Sequence, residues 1–175
     1  TLMLSCNEKQ EPLEVEVYET SANGNKLTRI TEFTSGDSIV NINLFPEEKF
    51  QTITGFGGSF TEASASLLNR LSKTNRDIII EAYFGESGAK YSLTRTHMNS
   101  CDFSLSNYSY APVEGDIELK SFSVDEDRDD IIPMIKDAMA ISKDGFKIMS
   151  SPWTAPPWMK DNKDWRGGKL LPEYY

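Results

Sequence analysis

The first fifty residues of the chain alternate between apolar and polar positions. Residues 13–18 and residues 38–44 both repeat with a period of two, which is typical of a strand with one buried face. Between them, Asn23-Gly24-Asn25 is a turn sequence. The pattern predicts a few antiparallel strands over residues 13–48, too few to form an independent sheet.

From Phe50 onward the period changes, and short apolar segments alternate with longer amphipathic ones. The short segments predict strands at residues 50–56, 91–98 and 146–150. The longer segments predict helices at 62–71, 73–84 and 133–143, with Thr61, Ser72 and the capping box Ser123-x-x-Glu126 as start signals. This order of elements is typical of an α/β protein with a parallel sheet. It fits either an open doubly wound sheet or a (β/α)8 barrel.

In both architectures, functional residues lie at the carboxyl ends of the strands. We expect those ends at residues 56–58, 95–102 and 150–158. The first of them contains Gly55-Phe56-Gly57-Gly58, which fits neither of the common phosphate-loop patterns. Its glycines predict a tight turn and a close approach of two backbone segments.

The charge balance excludes some classes of partner. The chain carries 18 basic and 27 acidic residues in 175, a formal net charge of -9. Such a protein is a poor candidate for binding nucleic acid or an anionic membrane surface. No apolar segment approaches the ~20 residues of a membrane span. The two cysteines predict no disulfide framework, and the single histidine, His97, predicts no metal site. No organic cofactor is implied either.

The N-terminal segment has one candidate modification site. An apolar stretch ends at Ser5-Cys6, and a polar linker follows to Pro12. This arrangement is similar to the end of a bacterial lipoprotein signal, in which the cysteine receives the lipid. It predicts an export-signal remnant and linker over residues 1–12. The protein would then be a periplasmic or outer-membrane lipoprotein. It would contact a membrane only through a lipid on Cys6. The alternative is an ordinary frayed terminus.

Two charged residues lie near the end of the strand predicted at residues 91–98. Arg95 lies in a segment expected to be buried, where a guanidinium needs a carboxylate partner. That partner would be either the carboxylate of a scaffold ion pair, which the spacing favours, or a catalytic carboxylate. Asp102 could accept hydrogen bonds from a pair of substrate hydroxyls or cap a turn.

The last strand end is rich in tryptophan and proline. Trp153 and Trp158 lie in a loop whose prolines restrict the backbone. Each indole could be a platform for a sugar ring, or could close the mouth of the sheet. Cys101 and His97 are most simply packed residues. An Asp, an Arg and a Trp at one rim suit a neutral polyol such as a sugar.

Four motifs make the chain similar to glycoside hydrolase family 30, most closely to its glucosylceramidase branch in a bacterial form. They are residues 55–63 (GFGGSFTEA), 91–95 (YSLTR), 100–104 (SCDFS) and 151–160 (SPWTAPPWMK). The match is collinear from about residue 50 to residue 168. It implies a (β/α)8 barrel, of which residues 49–175 would form the first three βα units, preceded by strands of a side β-sandwich domain.

The resemblance also implies an activity. Family members are retaining β-glycosidases that use two glutamates about 5–5.5 Å apart, one as acid/base and one as nucleophile. Those glutamates follow the fourth and seventh strands, so we expect both to lie beyond residue 175 and this chain alone to be inactive.

Several residues acquire expected roles through the same resemblance. Asp102 and Trp153 would bind the sugar, Phe103 would line its pocket, and Arg95 would hydrogen-bond the nucleophile. The substrate would be a carbohydrate or glycolipid. Two alternatives stay open, namely a β-1,6-glucanase or other β-glucosidase of the same family and a non-catalytic carbohydrate-binding protein.

Overall fold

The computed structural model describes residues 14–33, 36, 38 and 40–175 of the chain. Contacts divide the chain into two units, with the boundary between Phe50 and Gln51. No helix in the described ranges is long and apolar enough to cross a membrane.

The first unit contains one antiparallel hairpin. Strand β1 (Val17–Glu19) pairs with β2 (Thr28–Ile30), so that Val17 lies opposite Ile30. The predicted turn between them is present: the Ser21 amide donates to the Asn25 carbonyl at 3.0 Å, and Gly24 has a φ of +108°. A left-handed φ of this kind costs glycine least.

The strand predicted over residues 38–44 is wrong for the part of it that the structure describes. Residues 38 and 40–44 have no regular structure, and Val40 and Ile42 are 82% and 79% exposed. An alternating pattern becomes a strand only where a neighbouring strand pairs with it and another layer covers its apolar face. The described residues of this unit provide neither for residues 40–44.

The second unit alternates strands and helices around a parallel sheet. Its elements are β3 (Ser59–Phe60), α1 (Glu62–Asn69), α2 (Lys73–Phe84), β4 (Leu93–Met98), α3 (Ile131–Ile141) and β5 (Lys147–Pro152). The strands are parallel in the order β3-β4-β5, with Ser59, Arg95 and Met149 in register. The carboxyl ends of the three strands therefore meet at one edge.

Local capping explains where the helices begin. The Thr61 hydroxyl accepts from the Ser64 amide at 3.3 Å, and the Ser72 hydroxyl accepts from the Asn75 amide at 3.3 Å, as predicted. Helix α3 begins two residues before the predicted start because Asp130 caps it. Pro133 then lies in its first turn, where a missing N–H costs little.

The predicted capping box at Ser123 has a different form in the structure. The Ser123 hydroxyl accepts from the Asp125 amide at 3.0 Å and precedes a single 3₁₀ turn at Asp125–Asp127. Glu126 therefore does not begin an α-helix. Helix α3 forms only after this turn.

Aromatic packing between the sheet and the helices forms the core. The Phe60 ring stacks on Phe84 with centroids 5.5 Å apart, and Phe146 lies against both rings. Ile80 and Ile131 are buried beside them. Helices α1, α2 and α3 thus pack together against the end of β3, whereas the residues of β5 are mostly exposed.

The strand predicted at residues 50–56 is wrong, because β3 forms three residues later. The Phe56 carbonyl still accepts from the Ser92 and Leu93 amides, at 3.0 and 3.2 Å. A Cβ at Gly57 would collide with the Leu93 carbonyl, so the predicted close approach of two backbones is present. Residues 56–58 lie alongside β4, and the carboxyl end of β3 is instead at Phe60.

Candidate functional site

A cavity of about 170 Å³ lies at the edge where the three strands end. Its lining residues come from β3 and β4, from the loop after β4 and from the residue that follows β5, and they include Thr61, Arg95, His97, Cys101, Phe103 and Trp153. The arrangement brings Arg95, Phe103 and Trp153 together. Asp102 adjoins this lining through its neighbours Cys101 and Phe103.

Arg95 is the charged residue at the centre of this edge. Its Cζ lies 4.6 Å from the centroid of the Trp153 ring, a cation–π distance. Its Nε atom is buried and has no hydrogen-bond partner within the described ranges. No carboxylate of the described residues forms an ion pair with it. The scaffold ion pair that the spacing favoured is therefore not formed among these residues.

Trp153 is held by the strands but leaves part of its surface free. Its backbone amide donates to the Met98 carbonyl at 3.3 Å, which joins the ends of β4 and β5. The residue is 44% exposed. An indole with a fixed backbone and a free surface can act as a platform for a flat apolar group.

The segment after β4 that carries Asp102 is fastened to the start of α1. The Ala63 amide donates to the Phe103 carbonyl at 3.0 Å, and the Leu105 amide donates to Glu62 Oε2 at 2.9 Å. Asp102 is exposed, and its carboxylate makes no hydrogen bond to the described residues. It therefore caps no turn there and is free to accept hydrogen bonds from a ligand.

The single histidine is packed, as its sequence context predicts. His97 is 4% exposed, and its Nδ1 lies 2.7 Å from the Asn99 carbonyl. Because a carbonyl only accepts, Nδ1 carries the proton. Cys101 is half-buried, and its Sγ accepts from the Phe103 amide. The described residues contain no group of three His, Cys, Asp or Glu side chains that could hold a metal ion.

Asn99 connects two loops at this edge, a role that sequence reasoning missed. It has a φ of +60°, which asparagine tolerates better than most residues. Its Nδ2 donates to the Thr154 carbonyl at 3.2 Å, and its Oδ1 accepts from the Tyr110 amide at 2.9 Å. The available sequence signal was an asparagine directly after a strand. Its hydrogen-bond partners lie 11 and 55 residues away in the chain, so no local pattern indicates them.

A buried carboxylate with two tyrosines was also missed. Tyr108 donates to Asp127 Oδ1 at 2.8 Å, and Tyr110 donates to Oδ2. Burial first, and then the hydrogen bond to Asp127, raises the pKa of both tyrosines well above the usual range. Both hydroxyls therefore stay protonated donors and anchor the long loop before α3.

Replacing Asp127 with asparagine is expected to lower the free energy of unfolding by about 1–3 kcal/mol. One tyrosine hydroxyl would then face an N–H donor instead of an acceptor. Urea titration of the complete protein would measure the change, with the exposed Asp129→Asn as the matched control. Equal midpoints for the two variants would contradict the expectation.

Comparison with known proteins identifies the family of this fold. A sequence model described as the glycosyl hydrolase family 30 TIM-barrel domain matches residues 53–173. The chain belongs to glycosyl hydrolase family 30. The sheet β3-β4-β5 with its helices is accordingly part of a TIM-barrel domain, as the sequence analysis predicts.

Similar proteins include a glucosylceramidase and a β1,6-glucanase by name. The chain is 39% identical to "Putative glucosylceramidase 3" of Caenorhabditis elegans over 89% of its own length and 31% of that protein. SrfJ from Salmonella typhimurium superposes with a TM-score of 0.68 at 38% identity, over 73% of this chain and 29% of that one. The endo-β1,6-glucanase BT3312 superposes with a TM-score of 0.68 at 31% identity, over 86% and 34%.

The chain spans about a third of the length of these relatives. Its family is therefore established, whereas the activity of the whole protein is a separate question. Cys6 lies outside the described residues, so lipidation and export stay predictions from sequence, as does a bacterial origin.

Proposed function

We propose that the protein containing this chain hydrolyses β-glucosidic bonds with retention of configuration. In the first step, one glutamic acid protonates the leaving oxygen while the carboxylate of a second glutamate bonds to the anomeric carbon. In the second step, the first glutamate removes a proton from water, which displaces the enzyme carboxylate from the sugar. Both glutamates would lie outside residues 1–175.

Within this mechanism the chain supplies one side of the sugar site. Asp102 would accept hydrogen bonds from the outer hydroxyls of the sugar. Trp153 would lie against the ring, and Phe103 would line the pocket. The exposed carboxylate of Asp102 and the free surface of Trp153 support these roles.

The buried Nε of Arg95, which has no hydrogen-bond partner among the described residues, is the observation that carries the proposal. Such a group costs about 1–3 kcal/mol or more if it stays unsatisfied. A carboxylate from another part of the protein would satisfy it. We propose that this carboxylate is the nucleophile.

An aryl β-glucoside tests the proposal. We expect the complete protein to release the aryl group with first formation of the β-anomer of glucose, which NMR detects. We expect residues 1–175 alone to release none. An inverted first product would contradict the double displacement, and turnover by the 175-residue chain would contradict the placement of the glutamates.

The alternative of a β-1,6-glucanase in the same family has a specific observation in its favour. The solved structure of the endo-β1,6-glucanase BT3312 superposes on 86% of this chain at 31% identity. Parallel assays of the complete protein with glucosylceramide and with a β-1,6-glucan distinguish the two substrates.

The non-catalytic alternative predicts binding without turnover. Under that alternative the complete protein would bind glucose oligosaccharides, lose binding on Trp153→Ala and hydrolyse none of them. Turnover that decreases in parallel with binding in Trp153→Ala would exclude it.

A further inference from the structure

A second concavity lies beside the candidate site, between the loops that follow β4 and β5. It has a volume of about 470 Å³, within the size range of small-molecule sites. One wall comes from residues 107–126 and the other from residues 156–165. We call it the loop groove.

We propose that the loop groove binds further sugar units of a glycan whose reacting sugar lies at Trp153. The substrate would then be a chain of neutral sugars and not a glycolipid. This inference rests on the proposed function, because it assigns the substrate of the same site.

The lining of the loop groove matches the two kinds of surface on a sugar ring. Trp158 and Trp165 contribute half-buried indoles, which can lie against the C–H face of a pyranose. Asn107, Ser109, Ser123, Asp125 and Glu126 contribute amide, hydroxyl and carboxylate groups. Ser109, Ser123 and Asp125 already have hydrogen-bond partners within the structure. The Asn107 amide and the Glu126 carboxylate make no side-chain hydrogen bond to the described residues. An alkyl chain would leave these two groups without partners, whereas sugar hydroxyls can donate to and accept from them.

The charge of the lining favours a neutral glycan. The described residues that line the loop groove include two carboxylates and no lysine or arginine. The nearest cation in sequence, Arg128, is paired with Asp125 at 2.5 Å. A phosphate or sulfate group would therefore be repelled.

Hydrogen bonds hold both walls in place without a ligand. Trp158 Nε1 donates to the Ala111 carbonyl at 2.9 Å, and Asn99 bonds to both loops. The Thr154 hydroxyl donates to the Trp165 carbonyl at 3.1 Å. The buried Lys160 donates to the Thr154 hydroxyl at 3.3 Å and to the Gly167 carbonyl at 2.9 Å. A site formed before binding loses less entropy when the ligand enters.

The loop groove is close enough to Trp153 for one glycan to reach both. Trp158 lies five positions after Trp153, so their Cα atoms lie at most about 18 Å apart. Both walls also start from the carboxyl ends of neighbouring strands. A glycan of a few units bound at Trp153 is therefore long enough to reach the loop groove.

Trp165→Ala in the complete protein tests the inference. The assay compares kcat/KM for an aryl β-glucoside with kcat/KM for tetrasaccharides of β-1,3-, β-1,4- and β-1,6-linked glucose. We expect about a tenfold loss on the tetrasaccharide that wild type prefers, and less than a twofold change on the aryl glucoside. Trp165→Phe, which keeps an aromatic face, should retain most of the wild-type kcat/KM on the tetrasaccharide.

A control variant and a further substrate separate the possible outcomes. Tyr83→Ala, on helix α2 and away from the loop groove, should not distinguish long from short substrates. An equal loss on both substrates in Trp165→Ala would mean a structural role, and no loss on either would mean no sugar contact. Turnover of glucosylceramide above every tetrasaccharide would also overturn the inference.

Failure of the proposed function gives a different result. If wild type hydrolyses no glucoside, the double displacement is wrong. The loop groove is then tested by itself through the binding of a tetrasaccharide, measured by the change in tryptophan fluorescence. Wild-type binding that Trp165→Ala weakens about tenfold would support the groove. Equal binding by the two proteins, or none, would overturn it.

Discussion

Replacing Arg95 with glutamine is expected to lower kcat of the complete protein by about 10²–10³-fold. The side chain has a buried Nε with no partner among the described residues and lies 4.6 Å from the Trp153 ring. If it pairs with the nucleophile, its loss leaves a buried carboxylate unpaired, a cost of about 3–5 kcal/mol. Each 1.36 kcal/mol that falls on the transition state is a tenfold loss of rate.

The pH profile of the Arg95→Gln variant tests the pairing itself. A nearby guanidinium lowers the pKa of a carboxyl group, so its removal raises the pKa of the nucleophile. The acidic limb of kcat/KM should therefore move to higher pH, which a merely structural role of Arg95 would not cause.

Two comparisons limit the interpretation of this variant. Arg95→Lys keeps the charge but not the planar donor set, so we expect only partial recovery of kcat. Arg70→Gln, at an exposed arginine after α1, should behave as wild type. Retention of more than half of wild-type kcat in Arg95→Gln, with an unmoved acidic limb, would show that Arg95 does not contact the nucleophile.

Phe60→Ala is expected to lower the free energy of unfolding of the second unit, residues 51–175, by about 3–5 kcal/mol. The residue is 2% exposed, and its ring stacks on Phe84 and contacts Phe146. Alanine would leave a cavity between the sheet and two of the helices that cover it. Because β3 has only two residues and Phe60 is its last, the carboxyl end of the strand should loosen as well.

Urea unfolding of the complete protein, followed by circular dichroism, measures this loss. Phe50→Ala is the matched control, because Phe50 is 85% exposed and an exposed substitution usually changes stability by less than about 0.5 kcal/mol. A loss below about 1 kcal/mol for Phe60→Ala would mean that the aromatic cluster does not stabilise the sheet.

Sequence reasoning was most accurate where the determining interaction is local. Helix α2 begins and ends at the predicted residues, because the Ser72 hydroxyl caps the amide of the third helical residue, Asn75, and Gly85 follows the last residue. Strand limits were less accurate. Whether residues 50–56 or 59–60 pair with β4 depends on a segment more than thirty residues away.

For the candidate site, too, sequence reasoning found the residues that lie in local motifs and missed those defined by distant contacts. The motifs identified Arg95, Asp102, Phe103 and Trp153 as candidates, and the structure places Arg95, Phe103 and Trp153 around one cavity, with Asp102 in the adjoining segment. The bridging role of Asn99 and the pairing of Asp127 with two tyrosines were not predicted. Both depend on contacts between loops that no local pattern encodes.

The sequence by itself determined the α/β class, the starts of α1 and α2 and the family, because caps, periodicity and linear motifs depend on neighbouring residues. The tertiary structure alone decided which side chains meet at the strand ends. It placed the Arg95 guanidinium over Trp153, left the Asp102 carboxylate free and joined two loops through Asn99. These features require segments distant in the chain to come within hydrogen-bonding distance, and only packing of the sheet and helices achieves that.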